Sequence, residues 1–308
     1  MHLDLTDLKL FVHIAEAPSL TQGARNTFMS PAAASVRIKG MEVRLGATLF
    51  YRDSRGVELT EAGKRLLVHA RIILRQIGYV QSEFAEHAQA TSGHIRIFAN
   101  STAVTEFLPE ILARYLADNP GVTIDLQERM SRDIVRGVLE GATDMGIIAG
   151  PVNTGGIEVL NFSTDRLVVI VPKGHELTYR KRVRFADLLS YQQVGLHAGS
   201  TLSSFLRERA EELGSQLQWR IQLASFEAIC RMVEADVGIS VLPESTSLRH
   251  SKTMELAVLP LAESWAVRER SILVRELEAL PGCMKKLVEA IRPSSGSKAA
   301  TVEDGSGF

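Results

Sequence analysis

Cysteine is scarce in this chain of 308 residues, which has only Cys230 and Cys283, far apart in the sequence. Two isolated thiols offer neither a disulfide framework nor the paired spacing of a structural zinc site. Their ordinary interpretation is as small, buried hydrophobic residues. The cysteine content fits a protein that works in a reducing compartment, and we expect a cytoplasmic location.

Long apolar runs are also missing. No stretch approaches the roughly 20 apolar residues that a helix needs to span a bilayer. Residues 1–4 begin no basic leader followed by an apolar segment. The sequence therefore predicts no secretory signal, no transmembrane segment and no membrane partner.

A strong net charge is absent as well, because 35 basic and 36 acidic residues give a formal charge of -1. This balance argues against a protein that coats nucleic acid over its whole surface. The charges are nevertheless unevenly distributed, since residues 22–65 hold eight Lys and Arg against four Asp and Glu. A small basic segment on a neutral body is typical of a site-specific DNA-binding protein.

The compact motifs of common enzyme classes are missing too. The chain has no HExxH, no GxSxG, no phosphate-binding loop and no GxGxxG after a strand. Its eight histidines form no cluster with metal-ligand spacing. We therefore predict no enzymatic activity, no catalytic residues, no metal site and no cofactor.

The first sixty residues have the spacing of a three-helix domain. Apolar residues at positions 8, 11, 12 and 15 define one helix face, which ends before a proline. Ser19 and Gln22 have the spacing of a capping box that begins a short second helix over residues 20–27. Ser30 and Pro31 begin a third helix that extends to about residue 45. This order indicates a helix-turn-helix.

The start of the third helix has the properties of a DNA-reading element. Small side chains let a helix backbone approach base edges in the major groove, and a helix N-terminus favours a phosphate. A hairpin around residues 53–56 follows, with arginines placed to lie against the DNA backbone as a wing. The residues that we assign to DNA contact, the basic ones on phosphates, are Ser30, Pro31, Ala32, Ala33, Ser35, Arg37, Lys39, Arg52 and Arg55. A generic three-helix bundle with a solvated hairpin is the alternative that the pattern leaves open.

Residues 7–63 resemble the DNA-binding domain of the LysR-type transcriptional regulators. The matching landmarks are LxxF at residues 8–11, SLT at 19–21, Ala24, Ser30, Ala33, Ser35, Ile38, Glu42, Leu45-Gly46, LFYR at 49–52 and LTEAG at 59–63. Pro31 stands where many members have glutamine, and Val36 replaces a usual basic residue. The resemblance implies a winged helix-turn-helix that binds double-stranded DNA.

A long amphipathic helix follows the hairpin. Thr60 can cap it, and we predict that it continues to about residue 89. Its apolar residues alternate in steps of four and three, as in a coiled-coil seam: Leu66, Ala70, Ile73, Ile77, Val80 and Phe84. Such a stripe can pack inside its own domain, whereas the resemblance implies dimerisation, in a homodimer or a homotetramer. DNA half-sites at a fixed spacing also require two recognition helices.

From His94 onward, short β-rich runs alternate with amphipathic helices, which indicates parallel α/β sheets. We predict strands over residues 94–99, 122–128, 144–149, 167–171, 194–196, 220–223, 238–242 and 265–274. The predicted helices cover residues 105–119, 131–140, 202–213, 226–235 and 281–291. Two lobes joined by crossing strands leave a cleft, and ligands favour the carboxyl ends of parallel strands.

This order of elements resembles the effector-binding domain of the LysR family, which is similar to type 2 periplasmic binding proteins. The matching stretches are GHIRI (93–97), LPEIL (108–112), EGATDMGI (140–147), LVVIVPKGHEL (167–177) and VEADVGISVLP (233–243). The resemblance implies a small-molecule effector that binds between the lobes and controls the regulator.

Candidate effector-binding groups lie where strands pass into helices. Hydroxyls and free helix amides can hold a carboxylate, so a small organic anion is the effector class that we expect. One group follows the first strand and another faces it from the second lobe, beside an aromatic wall: Asn100, Ser101, Thr102, His197, Gly199, Ser200, Thr201 and Phe226. Taken singly, each serine or threonine is more simply a helix cap, and His197 is equally a surface histidine.

These features predict an α+β multidomain protein with a winged helix-turn-helix over residues 1–60, a linker helix over 61–90 and a two-lobed α/β effector domain over 91–292. Lobe I comprises about residues 91–162 and 267–292, lobe II comprises about residues 163–266, and the polar tail 293–308 is predicted to be disordered. The predicted function is sequence-specific, effector-controlled transcription regulation. A solute-binding protein with an N-terminal association domain is the alternative, and an α/β enzyme is a third hypothesis.

Overall fold

The computed structural model describes residues 3–53, 56–87 and 92–292. The chain divides into two compact units, Met1–Thr91 with Leu139–Thr143, and Ser92–Val138 with Asp144–Phe308. The tail that we predict to be disordered, residues 293–308, lies outside the described residues. In the part of the chain that is described, no helix has both the length and the apolar character that a bilayer crossing requires.

The first unit begins with three helices, α1 (Leu5–Glu16), α2 (Leu20–Asn26) and α3 (Pro31–Leu45). Ser19 caps α2 as predicted, because its Oγ accepts the Gln22 backbone N–H at 3.2 Å. The Gln22 side chain does not complete the predicted capping box but donates to Asn26 Oδ1 at 3.3 Å. A reciprocal capping box occurs at α1 instead, between Asp4 and Asp7.

Helices α1 and α2 approach each other more closely than a side chain at the crossing would permit. A β-carbon on Gly23 would lie 2.5 Å from Ile14 Cα. The predicted hairpin follows as β1 (Phe50–Asp53) and β2 (Gly56–Leu59), with Phe50 opposite Leu59. The ring of Phe50 packs on that of Phe11, 5.2 Å between centroids, which attaches the hairpin to the helical core.

The linker helix α4 (Glu61–His87) begins after Thr60, whose Oγ1 accepts the Gly63 N–H at 3.0 Å. A β-carbon on Gly63 would lie 2.2 Å from Leu49 O, so this glycine sets how closely α4 packs on the hairpin. The predicted end of the helix near residue 89 lies outside the described residues. Residues 139–143 belong to this unit because they contact α4, where Arg75 Nη1 donates to Thr143 O at 2.8 Å.

The second unit alternates strands and helices. In chain order its elements are β3 (Ser92–Ala99), a π-helical turn (Ala103–Phe107), α5 (Leu108–Asp118), β4 (Gly121–Glu128), α6 (Ser131–Glu140), β5 (Met145–Ala149), β6 (Glu158–Pro172), a 3-10 turn (Glu176–Tyr179), α7 (Phe185–Leu188), β7 (Gln192–Leu196), α8 (Thr201–Glu212), β8 (Gln218–Leu223), α9 (Phe226–Glu234), β9 (Ser240–Pro243), α10 (Glu244–His250), β10 (Leu256–Pro260), a second 3-10 turn (Ser264–Ala266), β11 (Val267–Val274) and α11 (Gly282–Ile291).

The seven-stranded sheet of this unit is mixed, which differs from the parallel sheets that we predict, whereas β7 and β8 form a separate two-stranded sheet. Strand β3 runs parallel to β4 and β5, and β7 runs parallel to β8. The long strand β6 pairs antiparallel with β11 through its first half and with β9 and β10 through its second half. Strand β6 carries the chain from lobe I to lobe II, and β11 carries it back. Because the two strands run in opposite directions between the lobes, they pair antiparallel.

Each lobe has its own apolar core. The cluster of lobe II consists entirely of residues between Leu167 and Ala266 and includes Phe185, Leu206 and Ile229. A second cluster packs α6 of lobe I against strands β5 and β11, through Ile134, Val138, Ile148 and Leu273. Separate cores on both sides of the crossing strands leave room for a cavity between the lobes.

Candidate nucleic-acid interface and effector cavity

Helix α3 buries one face and exposes the other. Ala34, Ile38 and Met41 are buried in the core of the first unit. The predicted cap is present, since Ser30 Oγ accepts the Ala33 N–H at 3.2 Å and Pro31 occupies the first turn. The exposed residues of the helix include Pro31, Ala32, Ala33, Val36, Lys39 and Val43, and Ser35 is half-buried.

Arg37 is engaged within its own domain. Its Nε donates to Asp7 Oδ1 at 2.6 Å, and its Nη2 donates to Asp4 Oδ2. Arg44 donates to the other oxygen of Asp7 at 2.9 Å. The two aspartates hold the pKa of the Arg37 guanidinium above its ordinary value, chiefly through the hydrogen bond to Asp4. This network joins α1 to α3 and gives Arg37 a structural role.

The other basic residues that we assign to DNA contact are Lys39, Arg52 and Arg55. Lys39 is exposed on α3. Arg52 lies in β1 opposite Val57, and Arg55 at the hairpin turn falls outside the described residues. Phe28, which was not assigned, is 100% exposed in the turn before α3 and has a φ of 57°, in the left-handed region.

In lobe I, the three predicted effector residues bind their own chain. Asn100 is buried, and its Oδ1 accepts the Ala103 N–H at 2.9 Å. The Ser101 hydroxyl donates to Glu128 Oε1, and Thr102 is buried at the π-helical turn. These groups act as caps and cross-links, the simpler interpretation that the sequence offered.

In lobe II, the predicted residues are more dispersed. Ser200 caps α8 by accepting the Ser203 N–H at 3.0 Å, while His197 and Gly199 are exposed on the turn before it. Phe226 is buried in the lobe II core, which does not support its predicted role as an apolar wall of the cleft. Thr201 is the residue of this group that reaches the other lobe.

A cavity of about 580 Å³ lies between the lobes. Lobe I contributes the start of α6 and the loop after β5, lobe II contributes α8, and β11 contributes Arg268. The lining residues that bear on its chemistry are Ser131, Arg132, Asn153, Thr201, Ser204, Phe205, Arg207, Glu208 and Arg268. Of the eight predicted effector residues, Thr201 alone lines it, and the other seven lie elsewhere in the unit.

Thr201 connects the two lobes at this cavity. Its Oγ1 accepts the Ser131 backbone N–H at 3.0 Å and lies 3.4 Å from Ser131 Oγ. Because Ser131 begins α6 and Thr201 begins α8, two helix N-termini meet here, and their partial positive charges favour an anion. On another part of the cleft, Arg249 of lobe II donates to Glu106 of lobe I at 3.0 Å.

Charged groups lie buried at the crossing strands beside the cavity. Asp165 of β6 accepts from Arg268 Nη2 at 2.7 Å and from Arg270 Nη2 at 3.0 Å. The side chain of Arg268 is only 5% exposed, and its Nε has no hydrogen-bond partner among the described atoms. Burial lowers the pKa of the Arg268 guanidinium, opposed by the charge of Asp165. Two arginines against one aspartate leave the cluster with a net positive charge.

The sequence holds a signal for this cluster, although none of its members is among the predicted site residues. Arg268 and Arg270 are two residues apart in a predicted strand, so both side chains lie on one face. Burial on that face demands a carboxylate partner. Asp165 lies 103 residues earlier than Arg268, which is why no local pattern reveals the pairing.

Two family models match the chain. Residues 5–64 match "Bacterial regulatory helix-turn-helix protein, lysR family". Residues 88–295, more than half of the chain, match "LysR substrate binding domain". The chain belongs to the LysR family of transcriptional regulators.

Relatives of this regulator with similar sequences are themselves named as transcription regulators. The regulator IlvY of Escherichia coli (strain K12) is 34% identical over 245 residues, which cover 79% of this chain and 82% of that protein. A probable RuBisCO transcriptional regulator of Emiliania huxleyi is 27% identical over 282 residues, covering 90% and 88%. These matches support a transcription regulator and disfavour the alternative of a solute-binding protein.

Solved structures show the same fold over almost all of the chain. A full-length OxyR variant from Pseudomonas aeruginosa has a TM-score of 0.73 at 22% identity and covers 96% of both chains. CbnR in complex with its target DNA has a TM-score of 0.61 at 22% identity, covering 94% of this chain and 99% of that chain. With the two domains that the family models match, this LysR-family regulator combines a DNA-binding helix-turn-helix domain with an effector-binding domain.

Proposed function

We propose that helix α3 enters the major groove and contacts its DNA half-site through the first two turns. The exposed face of α3 carries this proposal, because its short side chains let base edges approach the backbone. Lys39, in the third turn of the same face, neutralises a phosphate. We also propose that Arg52 and Arg55 of the wing contact phosphates. This part of the proposal is supported only by the basic character of the hairpin. The remaining contacts come from the start of the helix: Ser30, Pro31, Ala32, Ala33 and Ser35.

The linker helix supplies the second copy that paired half-sites require. Ala70 of its apolar seam is buried in the core of its own unit. Further along the helix, Ile73, Val80 and Phe84 are exposed, at 44%, 50% and 73%. An exposed seam at coiled-coil spacing favours pairing with a second copy of α4, which sets the distance between the two recognition helices.

The effector binds in the cavity between the lobes and is a small organic anion. Support comes from the net charge of the Arg268 cluster, from Arg132 and Arg207 in the lining, and from the two helix N-termini at Ser131 and Thr201. Charge-assisted hydrogen bonds of this kind recognise carboxylates. Because the cavity has walls from both lobes, an effector that fits one arrangement of the lobes better shifts the regulator toward it. We propose that this takes place in the cytoplasm.

The DNA contact is tested by band shifts of the full chain on the DNA upstream of its own coding sequence. Affinity should fall steeply with salt, and Lys39→Ala should reduce the slope of log K against log salt by about 0.9. Lys252→Ala removes an exposed lysine of lobe II and should leave the slope unchanged. Salt-independent binding, or equal slopes for both variants and the parent, would refute the proposed contact.

The effector site is tested by thermal shift of the full chain against a panel of metabolites matched in size, with anionic, neutral and cationic members. Stabilising compounds should be anions, since a ligand that binds only the folded state raises the melting temperature. Arg132→Gln should weaken the response. Arg136→Gln changes an exposed arginine on the same helix, outside the cavity lining, and should leave the thermal-shift response unchanged. Hits confined to neutral or cationic compounds would overturn the proposed class.

A further inference from the structure

The exposed face of α3 has, in its first two turns, few side chains that can read bases by hydrogen bonding. Ala32, Val36, Lys39 and Val43 follow steps of four, three and four residues, so they share the exposed face. Val36 is 73% exposed on that face, although a valine gains nothing from contact with water. Ser35 is half-buried and carries a single hydroxyl.

The one arginine in this part of the helix is not available to a base. Arg37 donates to both Asp4 and Asp7, and Asp7 is almost completely buried. A contact to guanine would require the helix to give up two ion pairs that join it to α1. The side chains free to meet base edges in the first two turns are therefore mainly aliphatic.

The major groove limits what aliphatic side chains can recognise. Guanine and adenine are read by bidentate hydrogen bonds from Arg, Lys, Asn or Gln, and cytosine by an acceptor. The 5-methyl group of thymine is the apolar feature in the groove, and apolar side chains contact it directly. We infer that this regulator reads its half-site through thymine methyl groups packed against Val36 and Ala32. The inference rests on the proposed insertion of α3 into the groove.

Val36 is suited to this role by its stiffness as well as its exposure. A β-branched side chain in a helix has one strongly preferred rotamer, so its methyl groups are already fixed before DNA binds. Val36 therefore determines which thymine is recognised, and the smaller Ala32 permits a second methyl group to approach the backbone near the start of the helix.

The test removes single methyl groups from the DNA. The bound sequence is first selected from random duplexes with the full chain, and each thymine of the half-site is then replaced by deoxyuridine, which lacks only the 5-methyl group. We expect affinity to fall about fourfold at one or two positions, as for loss of one buried methyl group. In Val36→Ala the penalty at one of these positions should disappear. In Val43→Ala, the same change further along the exposed face, it should persist.

Each outcome separates the inference from the function that it builds on. If the selected DNA binds but no deoxyuridine weakens it, or the penalty is the same in Val36→Ala as in the parent, the methyl inference is wrong and DNA binding by α3 stands. If 7-deazaguanine, which removes an acceptor of guanine, is the modification that weakens binding, readout is by hydrogen bonds and the inference is again wrong. Failure to select any sequence would contradict the proposed DNA contact itself.

Discussion

Replacing Asp165 by asparagine isolates the electrostatics of the buried cluster on the crossing strands. Asparagine has nearly the same volume as aspartate, so the variant opens no cavity in the core. It removes the negative charge that faces Arg268 at 2.7 Å and Arg270 at 3.0 Å. Both guanidiniums stay protonated, because arginine does not lose its proton in proteins. The variant therefore leaves two buried cations without a counter-charge.

The size of the effect follows from burial. The side chains of Arg268, Arg270 and Asp165 are 5%, 13% and 2% exposed, so solvent screens their interaction little. Removing one partner from a buried ion pair costs about 3–5 kcal/mol, because the remaining charge stays uncompensated. For a unit of roughly 200 residues, each kcal/mol lowers the melting temperature by about 2–4 °C. We therefore expect a fall of about 10 °C.

Tryptophan fluorescence is a suitable readout for this variant. The chain has two tryptophans, and both Trp219 and Trp265 pack against the lobe II core. Their emission thus follows the unfolding of the effector-binding unit without a contribution from the helix-turn-helix unit. Thermal melts of the full chain, parent against Asp165→Asn, give the shift directly.

A matched control changes a carboxylate to an amide at the surface of the same lobe. Glu227 pairs with Arg231 at 2.8 Å, but both side chains are more than half exposed. Exposed pairs contribute little to stability, so Glu227→Gln should melt with the parent. If Asp165→Asn melted within about 2 °C of the parent, the cluster would contribute little and the reasoning from burial would be refuted.

Three further predictions concern single residues elsewhere. Arg37→Ala removes one charge-assisted hydrogen bond to Asp7 and one to Asp4. It should lower the free energy of unfolding of the helix-turn-helix unit, measured in urea, by about 1–2 kcal/mol and leave the salt slope of DNA binding unchanged. Phe28→Asn should raise stability by about 1 kcal/mol in the same titration, because asparagine tolerates the φ of 57° and the fully exposed ring buries nothing. Cys230 should resist a thiol reagent until the chain is denatured, because burial raises the pKa of its thiol to about 12; labelling of Cys230 in the folded chain would contradict this.

The first unit could be predicted closely because its boundaries are set by local chemistry. The cap Ser30, the proline after it and Gly46, which has a φ of 63° at the end of α3, act within a few residues of themselves. The hairpin was located for the same reason. The capping box at Asp4 and Asp7 escaped prediction because the usual pattern has serine or threonine at the cap and glutamate or glutamine three residues later.

The lobes were harder to predict because their strands depend on distant partners. The first half of β6, residues 158–166, is mostly polar and only partly buried, and what makes it a strand is pairing with β11 about a hundred residues later. Strand β10 and helix α10 were missed as well. A mixed sheet cannot be recognised from alternation alone, since parallel and antiparallel pairing leave similar patterns in a buried strand.

The predicted cleft between the lobes is present as a cavity, but of the eight predicted effector residues only Thr201 lines it. A hydroxyl at a helix start has a backbone amide of its own helix within reach, and Ser200 binds that amide in place of a ligand. Thr201, one residue further on, is left to point across to the other lobe. A shift of one residue at the helix start therefore decides whether a polar side chain caps its own helix or contacts the other lobe at the cavity. Composition and periodicity do not specify that position.

The first turn of α3 has a consequence for mapping DNA contacts by mutagenesis. Pro31 has no N–H, and the N–H of Ala33 is already donated to Ser30 Oγ. The amide of Ala32 is the remaining donor of that turn, and a phosphate held there would be bound by main chain alone. Alanine scanning leaves such a contact intact at every position, so a map of DNA contacts drawn from side-chain truncations would omit it. Replacing that peptide bond by an ester is the substitution that would expose it.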